Sequence, residues 1–207
     1  MDVSSPEKTD GRQLRRERNR EAVVDALLDL YRDGNLRPST EEIAARSGLS
    51  PRSLFRYFDY VDDLTRTAIL RIERHAADLL PIDVEPTAAL DVRAKALVDQ
   101  RFRLFDAVGN AAAVSRLRSP FQPILADRLR RNRSLLRSQI ESLFEPELNA
   151  MDKRVAGMAL AAADVLTSFE SHQLLVKDQE LPAGQARAAM TSALVTLLGI
   201  RPLTRPA

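Results

Sequence analysis

Apolar residues recur along this chain at intervals of three and four, the spacing that places side chains on one face of an α-helix. In the segment 12–33 such a stripe is formed by Val23, Ala26, Leu27, Leu30 and Tyr31. No segment alternates apolar and polar residues with the period of two that is typical of a half-buried β-strand. The pattern therefore predicts an all-α fold.

About nine helices are predicted. They span 12–33, 40–47, 51–58, 62–80, 87–107, 110–118, 121–144, 149–177 and 183–199. Proline cannot continue a helix and glycine readily adopts the left-handed C-cap conformation, so both residues mark helix ends. Gly34 follows the first helix, Pro81 the fourth and Pro146 the seventh. Residues 1–11 are predicted to form a disordered tail.

The most informative pattern lies between the first and fourth helices. Ser39 and Glu42 have the spacing of a capping box, so a short helix is predicted to begin directly after Ser39. Gly48 lies where a turn needs a left-handed residue. Ser50 is suited to cap a second helix, with Pro51 at its first position. The sequence therefore predicts two short helices joined by a tight turn.

The second of these helices has an apolar face and a polar face. Leu54 and Phe58 lie four residues apart and are predicted to face inward. The outward positions are then Pro51, Arg52, Ser53, Arg56 and Tyr57. Their hydrogen-bond donors suit base edges and phosphates, so the segment 39–58 is predicted to be a DNA-binding helix-turn-helix. The alternative is a plain helical hairpin, which would not require this turn chemistry in register with a polar second helix.

The charge distribution supports DNA binding only locally. The net charge is +2, and residues 1–64 carry 11 Lys and Arg against 13 Asp and Glu. Residues 8–20, however, contain six basic and two acidic residues. Arg16 and Arg20 in this basic segment are candidates for DNA contacts. A non-specific architectural DNA binder is disfavoured, because it would carry a basic excess over its whole surface.

Composition narrows the possible chemistry. The chain has no cysteine, and its two histidines, His75 and His172, are far apart in the sequence. Disulfides, thiolate catalysis and cysteine-ligated zinc are therefore excluded, and neither a metal site nor a cofactor is predicted. Groupings of a nucleophile with a base at chemical spacing are missing, so we do not expect an enzyme.

Hydropathy predicts the location of the protein. Its apolar runs are far shorter than the ~20 residues that span a membrane. Residues 1–20 are polar and charged, without the apolar core of a secretory signal. A cytoplasmic protein without membrane segments is therefore expected.

Several stretches between Arg20 and Leu64 combine into one recognisable pattern. They comprise residues 23–31, Thr40, Ile43, Ala44, Gly48, Leu49, Ser50, residues 54–58 and residues 62–64. In this combination the sequence resembles the tetracycline-repressor (TetR/AcrR) family of bacterial transcription regulators. The resemblance implies a helix-turn-helix DNA-binding domain at 12–61 and a larger ligand-binding and dimerisation domain at 62–207. The implied function is that of a homodimeric repressor that a small-molecule effector releases from its double-stranded operator DNA.

The resemblance also assigns contacts to individual residues. Thr40, at the start of the first short helix, contacts a phosphate. The positions assigned to the major groove or its backbone are Pro51, Arg52, Ser53 and Tyr57. Ser50 and Arg56 are further candidates for DNA contacts. The basic segment that contains Arg16 and Arg20 lies along the minor groove.

Three positions depart from the family pattern. Phe55 stands where a tyrosine usually offers a hydroxyl to phosphate, and Val61 replaces a lysine that grips the backbone. Tyr57 replaces the usual histidine and keeps a donor. Arg52 and Arg56 stand where the family often has smaller or apolar residues, and we expect them to compensate.

The last two long helices are the implied dimer interface, at about 149–177 and 183–199. Both are rich in small residues, which agrees with the close approach of another helix, although packing within one chain is the alternative. The effector pocket is implied among the helices at 62–80, 87–107 and 121–144.

Three residues are candidates to line that pocket. His75 is predicted to lie on the inward stripe of its helix, and Phe102 and Phe105 on a helix that is apolar on most sides; each could equally be a core residue. Seven arginines between residues 116 and 137 are predicted to form a solvated face. Any that turned inward would favour an anionic effector. The competing interpretation of the whole chain is a helical small-molecule-binding protein or enzyme without DNA binding.

Overall fold

The structure, a computed structural model, describes residues 7–199, with side chains from residue 11. Within that part it contains ten α-helices and no strand, which confirms the all-α prediction. The helices are α1 Glu7–Arg32, α2 Thr40–Ser47, α3 Pro51–Leu54, α4 Val61–Ala76, α5 Leu90–Arg118, α6 Pro123–Leu143, α7 Glu145–Asn149, α8 Lys153–Leu166, α9 Phe169–Gln173 and α10 Ala183–Gly199. A 3₁₀ turn, Ala77–Leu79, follows α4, and a π-helical turn, Leu174–Asp178, follows α9.

Helix boundaries differ from the prediction where the chain bends. The predicted pair 87–107 and 110–118 is continuous as α5, with a kink at Gly109, whose φ of 42° and ψ of −135° lie outside the helical region. The predicted helix 149–177 is divided after Leu166, because Ser168 caps α9 by accepting a hydrogen bond from the backbone N–H of Ser171 at 3.2 Å. The kink at Gly109 and the cap at Ser168 therefore account for these differences.

The start of the chain also differs from the prediction. Residues 1–11 were expected to be a disordered tail, but α1 begins at Glu7. The helix therefore includes the last five residues of that segment, and residues 1–6 lie outside the described part.

The chain divides into two compact units. The first contains the chain up to His75 together with residues 108–125, and the second contains residues 76–107 and the chain from Ala126 onward. The predicted domains at 12–61 and 62–207 counted α4 with the larger domain. In the structure Leu64, Ala68 and Ile69 of α4 belong to the core of the first unit.

Each unit has its own apolar core. The first is built mainly from Val23, Val24, Leu27, Leu30, Tyr31, Ile43, Leu54, Phe58, Leu64 and Ile69. The second is built mainly from Leu97, Val98, Phe102, Ile140, Phe144, Leu160, Met190 and Leu194. The first core includes residues from α1, α2, α3 and α4, so it holds the predicted helix-turn-helix against the entry helix.

Candidate nucleic-acid interface

The first helix of the motif begins at a complete capping box. Ser39 has extended backbone geometry, and its hydroxyl accepts a hydrogen bond from the backbone N–H of Glu42 at 3.2 Å. In return, the backbone N–H of Ser39 donates to the Glu42 carboxylate at 2.7 Å. Hydrogen bonds that Ser39 donates to the carboxylate, above all the one from its backbone N–H, lower the pKa of Glu42. The predicted start of α2 is confirmed, and Thr40 is its half-buried first residue.

A left-handed glycine makes the turn between α2 and α3. Gly48 has φ 69° and ψ 21°, and its N–H returns to carbonyls in the last turn of α2. Leu49 follows with an N–H that donates to the Ala44 carbonyl at 3.0 Å. A residue with a side chain would be strained at this φ, so the predicted role of Gly48 is confirmed.

The second helix of the motif is shorter than predicted. Ser50 caps it by accepting from the Ser53 backbone N–H at 3.2 Å, and Pro51 occupies the first turn. The α-helix ends at Leu54, whereas the sequence predicted 51–58. The chain continues in tighter turns, since the N–H of Tyr57 donates to the Leu54 carbonyl three residues back.

The faces of this segment are as predicted. Leu54 and Phe58 are buried in the first core. Pro51, Arg52 and Arg56 are exposed, whereas Ser53 and Tyr57 are half-buried.

Some polar groups on the outward face already form hydrogen bonds within the chain, and others do not. The Ser53 hydroxyl accepts from that of Ser50 at 3.0 Å, and the Tyr57 hydroxyl accepts from Asn19 Nδ2 at 2.8 Å. The Arg56 guanidinium lies 5.8 Å from the centre of the Tyr57 ring. Arg52 forms no hydrogen bond or ion pair with any residue in the described part of the chain. Its five N–H donors are therefore available to an incoming group.

The basic segment upstream is the beginning of α1. Arg16 is exposed on this helix, as are most of its basic neighbours. Arg20 is half-buried, and its guanidinium lies 4.8 Å from the centre of the Phe58 ring. The cation–π contact ties α1 to the end of the motif, so Arg20 has a structural role as well.

Two departures from the family pattern are visible at the surface. Phe55 is exposed beside Arg56, and its ring has no polar group to donate to a phosphate. Val61 is the half-buried first residue of α4. Neither side chain supplies the backbone contact that the family pattern would place there.

The histidine assigned to the effector pocket does not face inward. His75 is exposed, and its Nδ1 lies 2.8 Å from the Arg71 carbonyl of the same helix. The prediction continued the apolar stripe of α4 from Ile72 by three residues. The structure continues it by four, so that Ala76 is buried instead.

Phe102 and Phe105 are buried in the second unit and pack edge-on against other rings. The ring centre of Phe102 lies 4.7 Å from that of His172, and that of Phe105 lies 5.6 Å from that of Phe169. His172 Nε2 lies 3.2 Å from the Asp106 carboxylate. Burial lowers the pKa of His172, and Asp106 partly offsets this effect. Both phenylalanines therefore have core contacts, and their role in effector binding stays a prediction.

Sequence reasoning missed the most deeply buried charge of the second unit. Arg101 on α5 is only 1% exposed, although the inward arginine was sought between residues 116 and 137. Within that stretch Arg118 pairs with Asp62, Arg130 with Asp127 and Arg133 with Glu170. The sequence did hold a signal, because Arg101 lies four residues after Leu97 and three before Leu104, on the buried stripe of α5.

Between residues 7 and 199, no group of three or more His, Asp or Glu side chains could hold a metal ion. No helix in that range is long and apolar enough to cross a bilayer.

The fold and the site together define an all-α chain with a helix-turn-helix next to its entry helix. A transcriptional regulator from Rhodococcus sp. Rha1 superimposes with a TM-score of 0.66 at 17% identity, covering 87% of this chain and 96% of its own. A putative transcriptional regulator from Streptomyces coelicolor A3(2) gives 0.60 at 22% identity, with 88% and 99% covered. A TetR transcription regulator from Haloarcula marismortui gives 0.58 at 15% identity, with 88% and 97% covered.

The chain therefore has the fold seen in TetR-type transcription regulators. No protein-family model matches the sequence, and no curated protein matches it.

Proposed function

We propose that this protein is a sequence-specific transcription regulator that binds double-stranded operator DNA as a homodimer. It acts as a repressor, and a small-molecule effector releases it. The observation that carries the proposal is the helix-turn-helix at 39–58, whose two caps and left-handed turn leave Pro51, Arg52 and Arg56 exposed. The regulators with the same fold support it.

The residues divide into base-reading and phosphate-binding groups. Arg52 is the base reader, because an exposed guanidinium donates two parallel hydrogen bonds to O6 and N7 of guanine in the major groove. Thr40 and Tyr57 donate hydroxyl protons to phosphates, and the Tyr57 hydroxyl keeps its proton for this purpose because it accepts from Asn19. Arg16 adds charge along the DNA backbone.

Arg52→Ala is expected to weaken operator binding by roughly 1–3 kcal/mol and to relax the base preference at one position of each half-site. Fluorescence anisotropy with DNA from upstream of the protein's own gene measures the affinity, and a panel of single-base variants measures the preference. The matched control is Arg46→Ala. Arg46 is also exposed, but it lies on α2 and pairs with Asp33 at 2.8 Å.

Two outcomes would contradict these assignments. An equal loss of affinity for every DNA sequence would make Arg52 a phosphate contact instead of a base reader. Failure of the unaltered protein to bind any DNA tested in that assay would favour the alternative, a helical small-molecule-binding protein or enzyme without DNA binding.

A dimer is required because one helix-turn-helix covers only half of an operator, and the two recognition helices must lie about 34–36 Å apart. The exposed face of α8 supports α8 and α10 as the interface. Val155, Met158 and Val165 follow one another at intervals of three and seven residues, and Met158 is 63% exposed. Ala189 and Ala193 are exposed on α10 and would allow close approach of a partner helix.

Met158→Glu is expected to convert the dimer into a monomer, since a two-fold interface would bury two carboxylates without partners. Size-exclusion chromatography with light scattering measures the mass. The matched control is Leu135→Glu, which places the same charge on an exposed apolar position of α6. A dimer that persists in Met158→Glu would exclude α8 as the centre of the interface.

A further inference from the structure

The second unit holds an arginine whose positive charge has no acidic partner. Arg101 is 1% exposed and lies on α5, from which it reaches α6. Its hydrogen bonds go to Gln100 Oε1 at 2.5 Å, Gln139 Oε1 at 2.8 Å and the Leu136 carbonyl at 2.8 Å. Every one of these acceptors is neutral.

The guanidinium also has N–H groups that form no hydrogen bond. It carries five N–H groups, and the three bonds use two on Nη1 and one on Nη2. Nε is buried and has no hydrogen-bond partner. Nε and Nη2 form the edge with which arginine binds the two oxygens of a carboxylate in parallel.

The carboxylate that acts electrostatically on Arg101 is already engaged. Asp164 raises the pKa of Arg101, but its carboxylate lies 3.5 Å from Arg137. Desolvation outweighs its effect and lowers the pKa of Arg101 to about 10. In the described part of the chain no carboxylate oxygen lies within 4 Å of Arg101. Burying a charge without a counter-ion is costly, and a cation in such a place is suited to an anion that binds from outside.

We propose that Arg101 is the anchor of an internal binding site for the carboxylate of a small organic anion. The ligand's two oxygens accept from Nε and Nη2, which supplies the missing counter-charge and satisfies the unpartnered Nε. As the effector site, this assignment rests on the proposed function; as an anion-binding site, it does not.

The hydrogen bonds around Arg101 also connect the proposed site to the segment that follows α4. Gln100 Nε2 donates to the Leu79 carbonyl at 2.7 Å, and Gln139 Nε2 donates to the Leu80 carbonyl at 2.7 Å. These carbonyls lie three and four residues after the end of α4 at Ala76. A carboxylate on Nε and Nη2 leaves both glutamine bonds to Nη1 in place, so a movement of the guanidinium on binding is passed through Gln100 and Gln139 to the hydrogen bonds at Leu79 and Leu80.

Direct observation of Arg101 in the unaltered full-length protein tests the site. The probes are acetate, benzoate, decanoate and inorganic phosphate, with benzamide as the neutral match for benzoate. The Nε–Hε resonance of Arg101, followed by ¹⁵N-edited NMR, is expected to shift saturably with at least one carboxylate, at a Kd of ~1 mM or tighter, and not with benzamide. A resonance that none of the anions moves would overturn the proposal, as would one that benzamide moves equally.

Variants of Arg101 distinguish bidentate binding by the planar guanidinium from attraction by its positive charge alone. Arg101→Lys keeps the charge but loses the bidentate edge, so carboxylate affinity is expected to fall about tenfold or more, whereas Arg103→Lys, on an exposed position of the same helix, leaves it unchanged. A carboxylate that binds is also expected to raise the Tm of the unaltered protein more than that of Arg101→Lys. Equal binding by both variants would show that Arg101 only ties α5 to α6.

The consequence for DNA is measured separately. If the site is the effector site, the carboxylate that shifts the Arg101 resonance also lowers operator affinity in the anisotropy assay. Binding at Arg101 without an effect on operator affinity would retain the anion site and reject its role as effector site. Absence of DNA binding by the unaltered protein would reject the proposed function and leave the NMR result standing.

Discussion

Phe58→Ala is expected to destabilise the first unit by about 3–5 kcal/mol, the range for truncating a large buried aromatic side chain. Phe58 is 1% exposed and fills the core where the motif meets α1. The substitution leaves a cavity there and removes the ring on which Arg20 lies. Because whole domains are stable by only about 5–15 kcal/mol, this loss would leave little of the helix-turn-helix folded under mild denaturing conditions.

Urea denaturation followed by far-UV circular dichroism measures the free energy of unfolding, and hydrogen exchange of the α2 and α3 amides localises the change. Phe55→Ala is the matched control, since Phe55 is in the same turn but exposed. We expect that control to change stability by less than about 0.5 kcal/mol. Similar losses for both variants would contradict the assignment of Phe58 to the core of the motif.

The motif could be predicted from the sequence because its geometry is determined locally. Ser39, Glu42, Gly48 and Ser50 act through hydrogen bonds or backbone angles within four residues of their own positions. Such signals depend on residue type and spacing, and both are visible in the sequence. The one error within the motif is the end of α3, which lies at Leu54. It depends on whether the backbone N–H groups donate to the carbonyl of the third or of the fourth preceding residue.

The buried positions outside the motif could not be predicted in the same way. Helical periodicity allows a step of three or four, and on α4 the wrong step selected His75 where Ala76 is buried. Arg101 was overlooked because arginine is rarely buried without a partner. Its acceptors on Gln139 and Leu136 lie more than thirty residues away in the chain. Only the packing of α5 against α6 brings these groups together.

A second large effect is expected at the ion pair between buried Arg93 and half-buried Glu147 in the second unit. Arg93 is 4% exposed and holds Glu147 through both carboxylate oxygens, at 2.9 Å and 2.5 Å. It also donates to the Ala88 carbonyl at 2.8 Å and to the carbonyl of Leu143, the last residue of α6, at 2.6 Å. One side chain thus satisfies the end of α6 and attaches α7 to α5.

Arg93→Met is expected to cost about 3–5 kcal/mol, because it leaves the Glu147 carboxylate and two backbone carbonyls without their donor. Arg93→Met with Glu147→Met is expected to cost clearly less than Arg93→Met alone, since no unpaired charge then stays buried. Lys95→Met is the matched control: it breaks the exposed Lys95–Asp99 pair on the same helix and should cost no more than about 0.5 kcal/mol. Urea denaturation of the unaltered protein, Arg93→Met, Glu147→Met and the double variant gives the coupling free energy between Arg93 and Glu147. If the double variant were less stable than Arg93→Met, the loss would come from the missing hydrogen bonds to Ala88 and Leu143, and the unpaired charge of half-buried Glu147 would not be its cause.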